Sequence, residues 1–323
     1  NYSFETSNTN DLSLGGNIEL TPNLEVSLDY THQDKVIVLS THKQYHSNAV
    51  NSSLNFRRGH FEIITGVQTW QGKRRNTYGT ATKTNTGVFV QTNYDAGDNL
   101  FSAGGRRENV SYSFDTKTGS DLLTAYDLGF NRTLNDNLSI FSNFNYAFLA
   151  PDVDRFFNYD GEFNGFISPT RTQTLNLGLN HVTSNNKLKA TVFGMKLKKE
   201  QFYNPKTFVN TNIDKSHKYG LELQNTYNFN NALSTTINYV YTQAIIDRIE
   251  RFSGLGCSDF CDGKFLPGVS DHNITLGINY KPTSKSRIVL AQNYRSEAYA
   301  LDDFSNSFNQ KNNAYSSTDV SYS

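Results

Sequence analysis

Apolar and polar residues alternate with a period of two through nearly the whole chain, and no other feature constrains the fold as much. Successive side chains of a strand point to opposite faces, so this pattern gives each strand one apolar and one polar side. Leu24, Val26, Leu28 and Tyr30 alternate with Glu25, Ser27 and Asp29. Leu138, Ile140, Phe144 and Tyr146 alternate with Ser139, Asn143 and Asn145, interrupted only by Phe141 and Ser142. Tyr219, Leu221 and Leu223 oppose Gly220, Glu222 and Gln224, and Ile274, Leu276, Ile278 and Tyr280 oppose Asn273, Thr275, Gly277 and Asn279. About fifteen such segments recur, each near the roughly 9–11 residues that a tilted membrane strand needs.

A soluble sandwich also alternates, so the connections must decide between water and lipid. Short links at 21–23, 57–60, 95–99, 135–137, 184–186, 228–231 and 281–284 take turns with long ones at 30–48, 71–85, 106–121, 149–171, 198–216 and 243–271. Short turns at one rim and long loops at the other are the layout of an outer-membrane barrel. The polar faces are rich in Asn, Gln, Ser, Thr and Gly, which suits a wide wet lumen better than a dry core. We therefore expect an all-β chain, a large antiparallel transmembrane β-barrel with its short turns periplasmic.

Composition agrees. Mean hydropathy is -0.58, as expected when only alternate residues meet lipid, and no run approaches the roughly 20 apolar residues of a membrane helix. Lys and Arg number 30 and Asp and Glu 30, so no net field attracts nucleic acid. The 19 Tyr and 23 Phe supply the amphipathic rings of interfacial girdles. The N-terminal NYSFETSNTN has no basic stretch leading into an apolar one, and Ser323 follows directly on an alternating segment, so we read residues 1–323 as a portion of a longer barrel.

Four segments resemble TonB-dependent receptors. FNYAFLAPDVDRFF at 144–157 contains Phe148, Leu149, Ala150 and Pro151, similar to that family's Phe-x-Ala-Pro element at a strand end. ISPTRTQTLNLGLNH at 167–181 resembles the following strand, with Pro169-Thr170 in place of Pro-Glu and Asn176-Leu177-Gly178-Leu179 in place of Glu-Leu-Gly-Leu. NTNIDKSHKYGLELQ at 210–224 and LPGVSDHNITLGINYKP at 266–282 resemble two later strand starts, the first lacking one of the family's glycines. The resemblance implies a parent of about 22 strands around a plug, with plug, first strands and last strands outside this chain. It also implies an outer-membrane location, opening powered by the TonB complex through the missing N-terminal region, and import of a metal chelate such as a ferric siderophore. Another metal (Zn, Cu or Ni) or cobalamin is an alternative cargo. A passive porin is the main rival, and a loop role in adhesion or phage attachment is compatible with transport.

No nucleophile elbow or phosphate-binding Gly-rich turn occurs, and Asp302 and Asp303 lie in loop-like sequence, so we expect no enzyme and no cofactor. After Pro151, Arg155, Phe156, Phe157 and Tyr159 form a charge-plus-aromatic cluster suited to an anionic, aromatic-rich iron chelate; packing of the same rings into a lid is the competing reading. No histidine lies between Pro151 and Arg171, where resembling haem receptors carry one. Cys257 and Cys261, the only cysteines, are read as a loop-stapling disulfide in an oxidising exterior, with a soft-metal pair as the alternative. His32, His42 and His46 share one predicted loop; they are solvated histidines or a transition-metal capture site.

Overall fold

The computed structural model describes residues 6–38, 42–205, 207–249 and 261–323. They form one 15-stranded antiparallel sheet in which every strand pairs with its sequence neighbours, so chain order and sheet order coincide. This simplest connectivity follows from hairpin links, since a short turn leaves the next strand only the adjacent position. All seven expected short links are turns between paired strands, for example between β1 (Thr6–Thr21) and β2 (Leu24–Val38), and between β7 (Lys117–Asn135) and β8 (Leu138–Leu149).

The long links divide into two kinds. That at 149–171 is a true loop, and 243–271 is strand only to Arg248 among its described residues, whereas those at 30–48, 71–85, 106–121 and 198–216 are mostly ladder. β3 (His42–Arg58), β4 (Phe61–Asn76), β5 (Gly79–Asp95) and β6 (Asn99–Phe114) run on past the alternating part, with pairs such as Lys73↔Thr82 and Asn48↔Gln71. Above the membrane both strand faces meet water or loops, so hydrophobic alternation ceases while backbone pairing continues. Strands therefore reach 20 residues in β11 (Val209–Asn228), well beyond the expected length.

Register sorts the side chains onto two faces. Leu128 opposes Phe144, Leu177 opposes Val192, and Leu221 opposes Tyr241, so the apolar series of neighbouring strands form one continuous surface. That surface is bare: Leu128 is 56% exposed, the signature of side chains awaiting lipid. Near the short turns, the stacked and tilted rings of Phe61, Tyr94, Phe101 and Phe130 form a run across four strands, with centroids 4.5, 6.4 and 5.1 Å apart. Amphipathic rings settle at such an interface. The opposite face is polar and cross-linked. Arg106 Nη1 donates to Gln68 Oε1 at 2.6 Å, its Nε donates to Glu108 Oε2 at 2.7 Å, and Asn85 Nδ2 donates to Glu108 Oε1. On β8, Asn145 Nδ2 donates to Asn143 Oδ1, and Asn180 Nδ2 donates to Ser139 Oγ. This is the lumen face.

Candidate functional site at the loop-bearing mouth

The connection from β8 to β9 (Thr170–Val182) folds over the lumen face as a lid. Pro151 starts it because proline cannot continue the ladder, and a single 3-10 turn, Val153–Phe156, follows, with Arg155 N donating to Asp152 O at 3.0 Å. Beyond it a small hairpin is closed by the Phe157↔Phe163 bridge and by Asn158, which accepts from Glu162 N at 2.9 Å. Its corner, Gly161, has φ +87, a conformation costly for any side chain-bearing residue.

Aromatic packing holds the lid. Phe156 and Phe157, 1% and 4% exposed, sink among Ala81, Val110, Tyr112 and Leu123 of the lumen face. Phe114 stacks on Phe163 at 4.5 Å, and Phe156 meets Tyr112 and Phe166 edge-on at 5.1 and 5.0 Å. Charges pin the same segment. The buried Arg74 guanidinium lies 3.7 Å over the Phe157 ring, and its Nε sits 2.9 Å from Asp154 Oδ1, paired by charge without hydrogen-bond alignment. Tyr45 donates its hydroxyl to the same carboxylate oxygen at 3.0 Å. Burial first, then the Asp154 charge, pushes the Tyr45 hydroxyl up to about 12, so it keeps its proton and remains a donor at any physiological pH. Lys83, buried beneath the lid, reaches toward Ala150 O and Asp152; burial lowers its pKa, against the opposing pull of Asp152 and Glu108.

On its far side the lid reaches β11. Ser168 N donates to Asn212 Oδ1 at 2.9 Å, Arg155 Nη1 donates to Asn210 Oδ1 at 3.2 Å, and Tyr159 N donates to Phe208 O at 3.2 Å. With β3 to β7 on one side and β11 on the other, the loop is a strap across the mouth. Of the four expected ligand contacts, Phe156 and Phe157 are thus the strap's core, and only Arg155, half-buried, and Tyr159, 60% exposed, remain on its surface. The 3-10 turn has three residues per turn, so Val153 and Phe156 share its buried side and Arg155 lies off it. Sequence reasoning missed the latch on Asp154, because Tyr45 and Arg74, which supply it, are strand residues of the predicted loops 30–48 and 71–85.

A second cap packs on the adjoining lumen face. Ile213, Ala244, Ile246, Ile249, Cys261, Leu266 and Phe304 form its core, with Phe202 edge-on to Phe304 at 4.9 Å. Asp303 is buried and accepts from Ser307 N and Phe308 N at 2.9 and 3.1 Å, a structural use of the carboxylate. Cys257 lies outside the described residues, so its pairing with Cys261 stays a proposal. Between the caps, β10 (Asn186–Asn204) and β11 present ion pairs Lys199–Asp214 and Lys218–Glu200. His32 and His46, expected in a loop, stand on β2 and β3 with Asp34 beside them, and all on the outward face; His42 opposes Val38 at the hairpin's end.

A single sheet of hairpins with a lipid-ready face and a strapped mouth narrows the choice to large outer-membrane barrels, and the sequence matches the family described as TonB dependent receptor-like, beta-barrel, over residues 1–323. The chain belongs to the TonB-dependent receptor family. Members of this family are transporters rather than enzymes, and related barrels lie in the outer membrane of Gram-negative bacteria. No curated protein matches the sequence. Among solved structures, the ferric yersiniabactin uptake receptor FyuA from Yersinia pestis is similar with a TM-score of 0.78 and 14% identity, over 97% of this chain and 53% of that one. The copper transporter OprC is similar with a TM-score of 0.79 and 14% identity, over 99% and 57%. The ferric citrate transporter FecA gives 0.76 and 14%, over 98% and 54%. At such identities the likeness is one of fold, and this receptor barrel spans a little over half the length of those structures.

The loops of a receptor barrel face outward from the cell. An epitope inserted beside the exposed Asp160 is therefore expected to bind antibody on intact cells, whereas one inserted at the turn residue Asp136 binds only after permeabilisation. Labelling in the reverse order refutes the orientation.

Proposed function

We propose that this receptor barrel imports a bulky anionic metal chelate, most simply a ferric siderophore, across the outer membrane with energy delivered by the TonB complex. The observation that carries the proposal is the strap: a packed, latched loop across the lumen mouth that holds the Arg155 guanidinium and the exposed Tyr159 ring at its surface. A mouth obstructed in this way suits capture followed by gated entry better than the open channel of a porin. Guanidinium and aromatic ring match an anionic chelate by charge-assisted hydrogen bonds and stacking, each worth on the order of 1–3 kcal/mol when desolvated. The similar solved structures named for iron chelates and copper support a metal-bearing cargo.

The first test is growth of a deletion strain on defined ferric chelates, with copper as a separate arm. Loss of growth on one chelate identifies the cargo; unimpaired growth on every iron source refutes the siderophore assignment, and a copper phenotype alone replaces iron with copper. For the identified chelate, the double variant Arg155→Ala/Tyr159→Ala is expected to bind at least about tenfold more weakly, since roughly 1.4 kcal/mol already corresponds to that factor. Unchanged affinity in a barrel shown to be folded removes the strap surface from the binding site.

A further inference from the structure

On the outward face of the β2–β3 hairpin, past Tyr30, the apolar series gives way to His32 and Asp34 on one strand and His46 and Asn48 on the other. The ladder pairs His32 with Asn48 and Asp34 with His46, so the four side chains share one face and close a ring. His32 Nε2 lies 3.1 Å from Asp34 Oδ2, and His46 Nδ1 lies 2.7 Å from Asp34 Oδ1. The other two ring nitrogens meet Asn48: His32 Nδ1 is 2.8 Å from its Oδ1, and His46 Nε2 is 3.0 Å from its Nδ2. Tyr30 in turn donates to Asn48 Oδ1 at 3.0 Å. The imidazoles stand nearly perpendicular, with centroids 5.0 Å apart.

We propose that His32, Asp34 and His46 form a binding site for one divalent transition-metal ion, of the zinc type, that clips strands β2 and β3 together on the outer wall of the barrel. One ligand atom from each residue lies within 4.8 Å of the others. Ligands at roughly 2.0–2.2 Å from a tetrahedral ion stand near 3.4 Å from each other, so small side-chain rotations complete the site. Two imidazole nitrogens and one carboxylate oxygen are the donor set favoured by zinc, cobalt(II) and nickel(II) over calcium or magnesium. The partial exposure of all three side chains leaves the fourth position to water.

Asn48 is the outer partner that orients His32, its Oδ1 facing Nδ1 in the role that hydrogen-bonded carbonyls play behind ligating histidines. The ion replaces the hydrogens that now bridge Nε2 of His32 and Nδ1 of His46 to the carboxylate: His32 releases its Nε2 proton to solvent and keeps the Nδ1 hydrogen that meets Asn48, while His46 changes tautomer. His46 then carries its hydrogen on Nε2, where water accepts it, and the Asn48 oxygen stays with His32 and Tyr30. Asn10 and Leu12 oppose Asp34 and His32 on β1, and Lys73 opposes His46 on β4; Lys73 is the charged neighbour that tempers affinity. Because the site faces away from the lumen, it is independent of the import reading.

The test uses the intact receptor, purified in detergent and stripped with chelator, titrated with cobalt(II) and then zinc at fixed neutral pH. One equivalent of cobalt(II) is expected to give visible d–d absorption that one equivalent of zinc abolishes. His32→Gln and His46→Gln should each weaken zinc binding at least about tenfold, whereas His42→Gln and His217→Gln should leave it unchanged. As a measurement free of variants, zinc should shield His32 and His46 of the wild-type receptor from diethylpyrocarbonate while the exposed His60 reacts normally. Absence of a stoichiometric cobalt signal, signal retained in His32→Gln/His46→Gln, or no protection of these two histidines by zinc overturns the proposal.

Discussion

Arginine in place of Leu177 is expected to destabilise the folded barrel by about 2–4 kcal/mol, and arginine in place of the adjacent Asn176 by far less. Leu177 is 46% exposed on the outward face, between Ser142 and Val192 in the ladder. It stands five residues from Val182 at the end of its strand, or roughly 12 Å up a tilted strand, near the middle of an apolar band of about 25 Å. A guanidinium there has neither water nor a partner within reach. Asn176 points to the wet lumen, where Asn143 is its neighbour across the ladder, and a charge in that position stays hydrated. Ile140 is a poorer position for this test than its place in the alternation suggests, because the ladder sets it opposite Arg132 close to a short turn. The measurement is reversible folding into lipid vesicles followed by denaturant titration. Equal losses for Leu177→Arg and Asn176→Arg would invert or abolish the assignment of faces.

Truncation of Phe156 is expected to release the strap without unfolding the barrel. A fully buried phenylalanine cut to alanine costs about 3–5 kcal/mol, and Phe156 joins the 3-10 turn to Tyr112 and Phe166 at the centre of the packing. The strand ladder does not share that loss, since apart from the bond of Tyr159 N to Phe208 O, at the turn before β11, the strap meets it through side chains. Limited proteolysis should therefore cut Phe156→Ala within 157–163 at least tenfold faster than wild type, while the barrel keeps its heat-modifiable migration on gels. Chelate affinity should fall together with the protection, because Arg155 and Tyr159 are then no longer held in place before the ligand arrives. Wild-type protease resistance in Phe156→Ala would mean that the Arg74, Tyr45 and Asp154 latch suffices alone, and that the aromatic core adds nothing to it.

Alternation and turn chemistry determined the fold class, the approximate number of strands, the seven short turns at one rim and which residues of 138–146 share the apolar face; the tight turns at 77–78 and 115–116 lay inside expected long loops. These are local properties: a strand's two faces and a tight link are written in neighbouring residues. The resemblance at Phe148 to Pro151 and in the three later segments likewise pointed to the family that the whole-chain match identifies. Tertiary structure decided what depends on residues distant in sequence. Backbone pairing beyond the membrane turned four of the expected loops into ladder, since hydrogen bonding continues where amphipathic contrast has ended. Burial divided the cluster after Pro151, sending Phe156 and Phe157 into the strap's core and leaving Arg155 and Tyr159 at its surface. Register, finally, set His32 and His46 beside Asp34, because a spacing of two on one strand and a facing strand fourteen residues on converge only once the pairing is known.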